Sequence, residues 1–235
     1  LDEDPEVVIA ESKRFSDAIP CPSVRWLHST FAGVDGLLLE KERLREGVVV
    51  TRTGGFGPAI AEWAIGHFIA HKRHFGAARA AQSEGEWKDE EVGGYKTPEE
   101  TVVAVLGGGD IGSCVVRSCM GLGYRVRCLV STMGVERGFG EECVVCTEVG
   151  EVVRGADAVI NTLPSTPFTT HLLTKDSFSD TNPNSMFLNA GRGSIIAEEE
   201  LLDALSNPLC PLSAAALDVF PVEPLPSHSP LYSHP

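Results

Sequence analysis

Short apolar runs alternate with amphipathic segments along most of the chain. The runs that begin near residues 102, 124, 157, 185 and 214 are rich in valine, isoleucine and alanine and end at glycine or polar residues, which is typical of buried strands. Between the first two runs, Ile111, Val115, Val116 and Met120 recur at helical spacing. Strands that alternate with helices predict an α/β fold with a doubly wound parallel sheet.

The first 56 residues have a different pattern. Three shorter apolar runs, at residues 7–10, 24–27 and 48–50, predict part of a second, smaller flavodoxin-like α/β domain. Glycines at 54, 55 and 57 then indicate a flexible joint, and Pro58 suits the first turn of a helix. Ala61, Ala64 and Phe68 give that helix an apolar face. We therefore expect a boundary after residue 56, followed by a long linking helix.

A glycine-rich turn joins the first strand of the larger sheet to its helix. It reads Gly-x-Gly-x-x-Gly, with the glycines at 107, 109 and 112, in the strand–turn–helix context of a dinucleotide-binding motif. Gly107 permits a tight turn, Gly109 lets a pyrophosphate approach the backbone, and Gly112 lets the helix pack closely. The helix start, at Asp110 and Ile111, then offers free amides to the phosphates. An ordinary strand–helix turn is the alternative interpretation.

Composition narrows the classes of partner. The 235 residues are 43% hydrophobic and carry a formal net charge of -14, so we expect neither nucleic acid nor a membrane as partner. No apolar run approaches the ~20 residues of a membrane span, and the acidic start does not resemble a signal peptide. Seven cysteines without a disulfide framework favour a cytoplasmic location. Cys143 and Cys146 form a CxxC pair, but a strand would point them to opposite faces, so we expect core cysteines and no metal site.

Charged residues follow the last two predicted strands. Arg192 lies between two glycines directly after one strand, and Asp218 and Glu223 follow the next. Ligands of open α/β sheets bind at the carboxyl ends of strands, and the planar guanidinium matches a carboxylate. An ordinary surface charge or ion pair is the alternative interpretation of Arg192.

The chain resembles the D-isomer-specific 2-hydroxyacid dehydrogenases, in particular the glyoxylate/hydroxypyruvate reductase-like branch. The matching segments follow the family's order and are residues 29–35, 61–63, 107–112, 163–167, 189–193 and 217–224. The resemblance implies part of a substrate domain at residues 1–56 and a dinucleotide-binding domain at 57–235. It also implies an oxidoreductase that transfers a hydride from NAD(P)H to a small 2-oxo acid, giving the D-2-hydroxy acid. The family's catalytic histidine motif does not occur before Pro235, so we expect a piece truncated at both ends and inactive alone.

The resemblance also implies roles for individual residues. Arg192 matches the arginine that holds the substrate carboxylate and polarises the 2-oxo group. Glu223 matches the acid that hydrogen-bonds the catalytic histidine, while His228 and His234 are expected to be surface histidines. Further implied positions are the substrate-loop residues Ala32 and Gly33, the cofactor contacts Leu163, Pro164, Thr169 and Ala190, and Asp218 facing the nicotinamide amide. The helix from Pro58 and the arm after it resemble the family's dimerisation region, which implies a homodimer.

The end of the second strand bears on the choice of cofactor. Enzymes that use NAD place an acidic residue there to bind the ribose 2′-hydroxyl. This strand ends at Ser131 and Thr132 without Asp or Glu, and Arg137 is near, which favours NADP(H) over NAD(H). Two other functions stay open at this stage: an NAD(P)-sensing binding protein without catalysis, and a related dehydrogenase acting on phosphite or formate.

Overall fold

The chain forms two compact units, residues 1–56 and 57–235. The computed structural model describes residues 5–38, 41–133, 138–140 and 142–234. Arg137 therefore lies outside the described residues. Both units are built on parallel sheets, as the alternation of strands and helices predicts.

The first unit is a three-stranded parallel sheet in the order β1-β2-β3. Its elements are β1 (Val7–Ala10), β2 (Trp26–Ser29), α1 (Asp35–Leu38), β3 (Val49–Arg52) and 3-10 helices at Ser12–Asp17 and Lys41–Arg43. Val8 and Leu27 pack against Phe15 on one face, whereas Ile9 on the other face is 62% exposed. The second strand begins two residues later than expected because Val24 closes a turn, its amide donating to the Cys21 carbonyl.

The second unit is a six-stranded parallel sheet in the order β6-β5-β4-β7-β8-β9. Its strands are β4 (Val102–Leu106), β5 (Arg125–Leu129), β6 (Val144–Cys146), β7 (Ala158–Asn161), β8 (Ser185–Asn189) and β9 (Leu212–Leu217). Its helices are α2 (Gly57–Lys72), α3 (Phe75–Glu84), α4 (Asp89–Gly93), α5 (Asp110–Gly121), α6 (Val149–Val153) and α7 (Glu198–Ser206), with 3-10 helices at Pro98–Glu100, Lys175–Phe178, Gly193–Ile195 and Pro230–Tyr232. The strand order reverses at β4, which is the doubly wound arrangement.

The sheet of the second unit has a core on each face. Alternate residues of β4 serve the two cores: Val103 and Val105 join one that includes residues of α2 and α5, and Ala104 and Leu106 join one that includes residues of α6 and α7. Helix α2 contributes Ala61, Ala64 and Phe68 to the first core, so the helix from Pro58 is packed along its predicted apolar face.

Cys143 and Cys146 belong to different cores, one on each side of the sheet. The pair therefore does not meet, as the strand periodicity predicts. Burial raises the pKa of the Cys143 thiol to about 11, so this thiol stays protonated at neutral pH. Both side chains pack as small apolar groups. Among the residues that the structure describes, no helix combines the length and the apolar character that a bilayer span requires.

Candidate active site

The glycine turn is shaped by the close approach of its own backbone. Gly107 has φ +105°, which only glycine adopts readily. A Cβ at Gly112 would lie 1.8 Å from the Gly107 carbonyl oxygen, so the start of α5 touches the turn at van der Waals contact. A Cβ at Gly109 would meet nothing within 4 Å. The backbone there faces open space, as the approach of a pyrophosphate requires.

A cavity of about 720 Å³ opens beside this turn. It lies at the carboxyl ends of four adjacent strands, β6, β5, β4 and β7, because residues that follow each of them form its wall. The lining residues are Gly107, Gly108, Gly109, Leu129, Val130, Ser131, Thr147, Glu148, Val149, Thr162, Leu163, Pro164, Thr166, Phe168, Thr169 and Leu172. Mostly apolar walls beside an open glycine turn fit an adenosine and its diphosphate.

The cavity brings together six of the predicted cofactor residues: Gly107, Gly109, Ser131, Leu163, Pro164 and Thr169. The other cofactor candidates, Asp110, Ile111, Gly112, Thr132, Ala190 and Asp218, do not line it. Gly112 acts behind the turn through its close packing, and Asp110 begins α5. Ala190 and Asp218 follow β8 and β9, two strands that do not border this cavity.

Thr162 was not predicted from the sequence, yet it supports the turn. Its hydroxyl lies 3.1 Å from the carbonyl oxygens of Leu106 and Gly107 and donates to them. A Cβ at Gly107 would come within 3.0 Å of the same hydroxyl oxygen. The only sequence signal was the position of Thr162 directly after a strand.

The loop after β7 is closed by Thr169. Its hydroxyl donates to the Pro164 carbonyl at 2.6 Å and accepts from the Thr166 amide at 2.8 Å. This places Leu163 and Pro164 against the cavity in a fixed loop. Thr169 therefore shapes the wall through its own backbone contacts, in addition to lining the cavity.

Arg192 is half-exposed just beyond β8, and its guanidinium donates to the Gly191 carbonyl at 2.7 Å. Both glycines that flank Arg192 are required by crowding. A Cβ at Gly191 would lie 2.6 Å from the Leu163 carbonyl oxygen, and one at Gly193 would lie 2.0 Å from the Phe220 carbonyl carbon. Residues 190–193, here called the Arg192 loop, therefore pack between the cavity wall and the loop that follows β9.

The acidic candidates lie near that second loop. The Asp218 amide donates to the Asn189 carbonyl at 2.9 Å, and its side chain is exposed. Glu223 is also exposed, and its Oε1 accepts from the Phe220 amide at 3.0 Å, which closes a turn. No hydrogen bond joins Glu223 to a histidine within the described residues, so its catalytic role stays a prediction. His228 is exposed, and the ring of His234 lies 3.4 Å from the Ser206 hydroxyl.

The predicted substrate loop of the first unit is held through its carbonyl groups. Arg52 donates to the Ala32 carbonyl at 2.8 Å, and the Ser12 hydroxyl donates to the Gly33 carbonyl at 3.2 Å. The buried Ser29 hydroxyl donates to the Phe31 carbonyl at 2.9 Å. These donors fix the conformation of the loop, and the sequence did not single out either Ser12 or Arg52.

Fold and turn together define a Rossmann-type α/β protein. The family described as "D-isomer specific 2-hydroxyacid dehydrogenase, NAD binding domain" matches residues 65–235. The chain belongs to this family, which confirms the resemblance found from the sequence. Its sheets and helices also match solved structures of that family.

Curated relatives carry the name glyoxylate/hydroxypyruvate reductase A. The protein of Escherichia fergusonii is 34% identical over 214 residues, and that of Serratia proteamaculans is 31% identical over 215 residues. Each alignment covers 87% of this chain and 65% of the relative. The chain therefore spans slightly less than two thirds of the length of these relatives.

Two solved structures illustrate the likeness. A D-isomer specific 2-hydroxyacid dehydrogenase family protein from Aeromonas salmonicida is 30% identical, with a TM-score of 0.81 over 98% of this chain and 72% of that chain. A D-isomer specific 2-hydroxyacid dehydrogenase from Xanthobacter autotrophicus, in complex with NADPH and MES, is 26% identical, with a TM-score of 0.82 over 99% of this chain and 73% of that one.

Gly112→Ala tests the packing behind the turn. The added methyl group would overlap the Gly107 carbonyl, so the turn or the helix start must shift. We expect a loss of about 1–3 kcal/mol in cofactor binding, roughly tenfold to hundredfold in Kd, as for other forced backbone strain. Fluorescence titration with NADPH and NADH measures it.

Gly121→Ala is the matched control, because Gly121 ends the same helix with no atom within 4 Å of an added Cβ. It should leave the Kd unchanged. A folded Gly112→Ala protein with wild-type affinity would contradict the assigned packing.

Proposed function

We propose that the complete protein reduces a small 2-oxo acid of the glyoxylate or hydroxypyruvate type to the D-2-hydroxy acid, using a nicotinamide cofactor. The observation that carries the proposal is the contact between the Arg192 loop and the cavity wall, where Gly191 packs on Leu163. That contact brings the loop that carries Arg192 against the wall of the cavity at the carboxyl edge of the sheet, and it supports the proposal that Arg192 holds the substrate anion beside the cofactor. The names of the curated relatives agree with this reaction.

The residues of this chain bind and orient the reactants. Amides of the glycine turn hold the diphosphate, and the apolar wall around Leu163 keeps water from the bound nucleotide. The cofactor supplies the hydride. Arg192 grips the carboxylate with its planar fork, and its charge stabilises the negative charge that develops on the 2-oxo oxygen.

The remaining candidates complete the proposed site. Ala190 and Asp218 of the second unit contact the nicotinamide end of the cofactor. For Ala32 and Gly33 of the first unit, substrate binding stays a prediction from the family resemblance. The Glu223 carboxylate orients a histidine imidazole and favours its cationic form, which donates a proton to the 2-oxo oxygen.

NADP(H) is our proposed cofactor. Ser131 brings a hydroxyl to the cavity at the end of β5, and residues 129–133 contain no carboxylate. Glu148, which follows the neighbouring strand β6, is the one charged side chain among the described lining residues. Its carboxylate opposes a 2′-phosphate, so the preference depends on how close the ribose lies to Ser131 rather than to Glu148. The similar Xanthobacter autotrophicus structure contains NADPH.

Titration with NADPH and NADH tests this choice. We expect NADPH to bind at least roughly tenfold tighter, and Ser131→Asp to reverse that order because its carboxylate repels the 2′-phosphate and accepts from a 2′-hydroxyl. Ser179→Asp adds the same charge at an exposed site away from the cavity and should change neither Kd. Tighter NADH binding by the wild type would contradict NADP(H) as the cofactor.

Steady-state kinetics of the complete protein test Arg192. Arg192→Ala should raise KM for the 2-oxo acid and lower kcat, with kcat/KM falling by roughly 100-fold, the loss typical of removing one stabiliser of developing charge. Arg192→Lys should recover only part of the activity, since it keeps the charge and loses the fork.

Arg125→Ala removes an exposed arginine at the amino end of β5, away from the cavity and from Arg192, and should leave the kinetics unchanged. Wild-type kinetics in Arg192→Ala would remove this residue from the mechanism. Wild-type protein without turnover of any 2-oxo acid would refute the proposed reaction.

We propose that the protein forms a homodimer through the arm made of α2, α3 and α4. Large apolar side chains are exposed along and beside this arm: Phe75 is 56% exposed, Trp87 is 91% exposed and Tyr95 is 51% exposed. Exposed apolar surface marks protein interfaces where it is contiguous. Sedimentation equilibrium should give a dimer that Trp87→Glu dissociates, whereas Leu209→Glu, at an 89% exposed position outside the arm, should not. A monomer at micromolar concentration would contradict the proposal.

A further inference from the structure

Two asparagines end adjacent strands beside the proposed active site. Asn161 is the last residue of β7 and Asn189 the last residue of β8, and the two are paired in register. Their exposed fractions are 0% and 2%. Burying a primary amide destabilises a protein unless its donors and acceptors are hydrogen-bonded. The hydrogen-bond partners of the two asparagine side chains therefore show what fixes their positions.

The two amides form one continuous chain of hydrogen bonds. The Leu163 amide donates to Asn161 Oδ1 at 3.1 Å, and Asn161 Nδ2 donates to Asn189 Oδ1 at 2.8 Å. Asn189 Oδ1 also accepts from the Gly191 amide at 3.2 Å, and Asn189 Nδ2 donates to the Arg192 carbonyl at 3.1 Å. The chain therefore runs from the cavity wall at Leu163 to the backbone of Arg192.

Nearby contacts further restrict the conformation of this chain of hydrogen bonds. A Cβ at Gly191 would lie 2.6 Å from Asn161 Nδ2, so the Arg192 loop rests directly on the first amide. The Ser165 and Ser194 hydroxyls, one from each loop, lie 2.9 Å apart and form a second tie. Among the described residues, no buried side-chain nitrogen or oxygen lacks a hydrogen-bond partner. Such a satisfied, buried network holds a single geometry.

We propose that the Asn161–Asn189 pair is a positioning device that sets the Arg192 guanidinium at a fixed distance from the cavity wall formed by Leu163. The proposal rests on the proposed function, in which Arg192 holds the substrate anion and the cavity holds the cofactor. The pair touches neither reactant; it acts through the backbone of Arg192. Small errors in such positioning are expensive, because productive geometry requires reacting atoms to be held within a fraction of an ångström.

Asn189→Asp removes the donor to the Arg192 carbonyl, and the neutral Asn189→Ser variant controls for the negative charge that the carboxylate adds. The new side chain keeps an oxygen that accepts from Asn161 and Gly191, but it puts an oxygen instead of a donor opposite the Arg192 carbonyl. Oxalate, a stable planar dianion that resembles glyoxylate, reports on the anion position without turnover. In the complete protein with NADPH bound, we expect the Kd of oxalate and the KM of the 2-oxo acid to rise about tenfold to hundredfold. The Kd of NADPH should stay within about twofold.

Two serine variants separate positioning from stability. Asn189→Ser is neutral and too short to reach the Arg192 carbonyl, so it provides the same test should the aspartate variant not fold. Asn182→Ser is its matched control: Asn182 Nδ2 donates to the Gly155 carbonyl at 2.7 Å and to Asp157 Oδ1 at 3.0 Å, at the amino ends of the strands. Both variants should lower the midpoint temperature of unfolding, but only Asn189→Ser should raise the Kd of oxalate.

The outcomes distinguish this inference from the proposed reaction. Suppose that the wild-type protein shows no turnover but binds oxalate, and that Asn189→Ser weakens this binding. This outcome would support the positioning role of the asparagine pair and refute the proposed reaction. Wild-type turnover with unchanged oxalate Kd and KM in a folded Asn189 variant would overturn the pair and leave the reaction standing. An equal rise in the Kd of oxalate in Asn182→Ser would also overturn the positioning role, because the effect would then come from a general loss of stability.

Discussion

The structure of the second unit depends on backbone segments that touch one another at the carboxyl edge of its sheet. Three glycines make these contacts possible: Gly112 against the Gly107 carbonyl, Gly191 against Leu163, and Gly193 against Phe220. In each case any side chain would overlap a backbone atom. The turn that faces the cavity, the loop that forms its wall and the loop that carries Arg192 are therefore packed as one layer, and its dimensions follow from main-chain contacts.

This constraint explains why the chain predicts its fold better than its site. Local patterns sufficed for the parallel sheet, because the apolar runs and the helical spacing of Val115 and Val116 are properties of neighbouring residues. The glycine turn was equally local. Thr162 and Asn161 were missed because their hydrogen-bond partners are far away in sequence and meet them only through strand order and register. Glu148 was missed because it reaches the cavity only through the position of β6 in the sheet. The boundaries also moved where a turn competed with a strand, as at Val24.

The acidic net charge of the chain makes short-range contacts important for binding an anion. With a formal net charge of -14, the protein does not attract small anions over long distances. The charged side chain that lines the cavity within the described part of the chain is Glu148, which is itself acidic. In the proposed reaction, binding of the substrate acid therefore depends on oriented amides and on Arg192 at contact distance. Such contacts lie well inside the ~8 Å screening length at physiological salt, so we expect them to depend little on ionic strength.

The shared amide pair has a consequence for how the site responds to substitution. Leu163 and Arg192 lie on different loops, but the Leu163 amide is bonded to Asn161, the Arg192 carbonyl is bonded to Asn189, and these two side chains are bonded to each other. Residues in one hydrogen-bond network do not contribute independently, so changes at the cavity wall and at the Arg192 loop should not be additive. A change that displaces Leu163 should also displace Arg192, the proposed anion holder. If the proposed reaction holds, selection for a particular 2-oxo acid can therefore act on residues that never touch it, through the geometry of the strand ends that carry both loops.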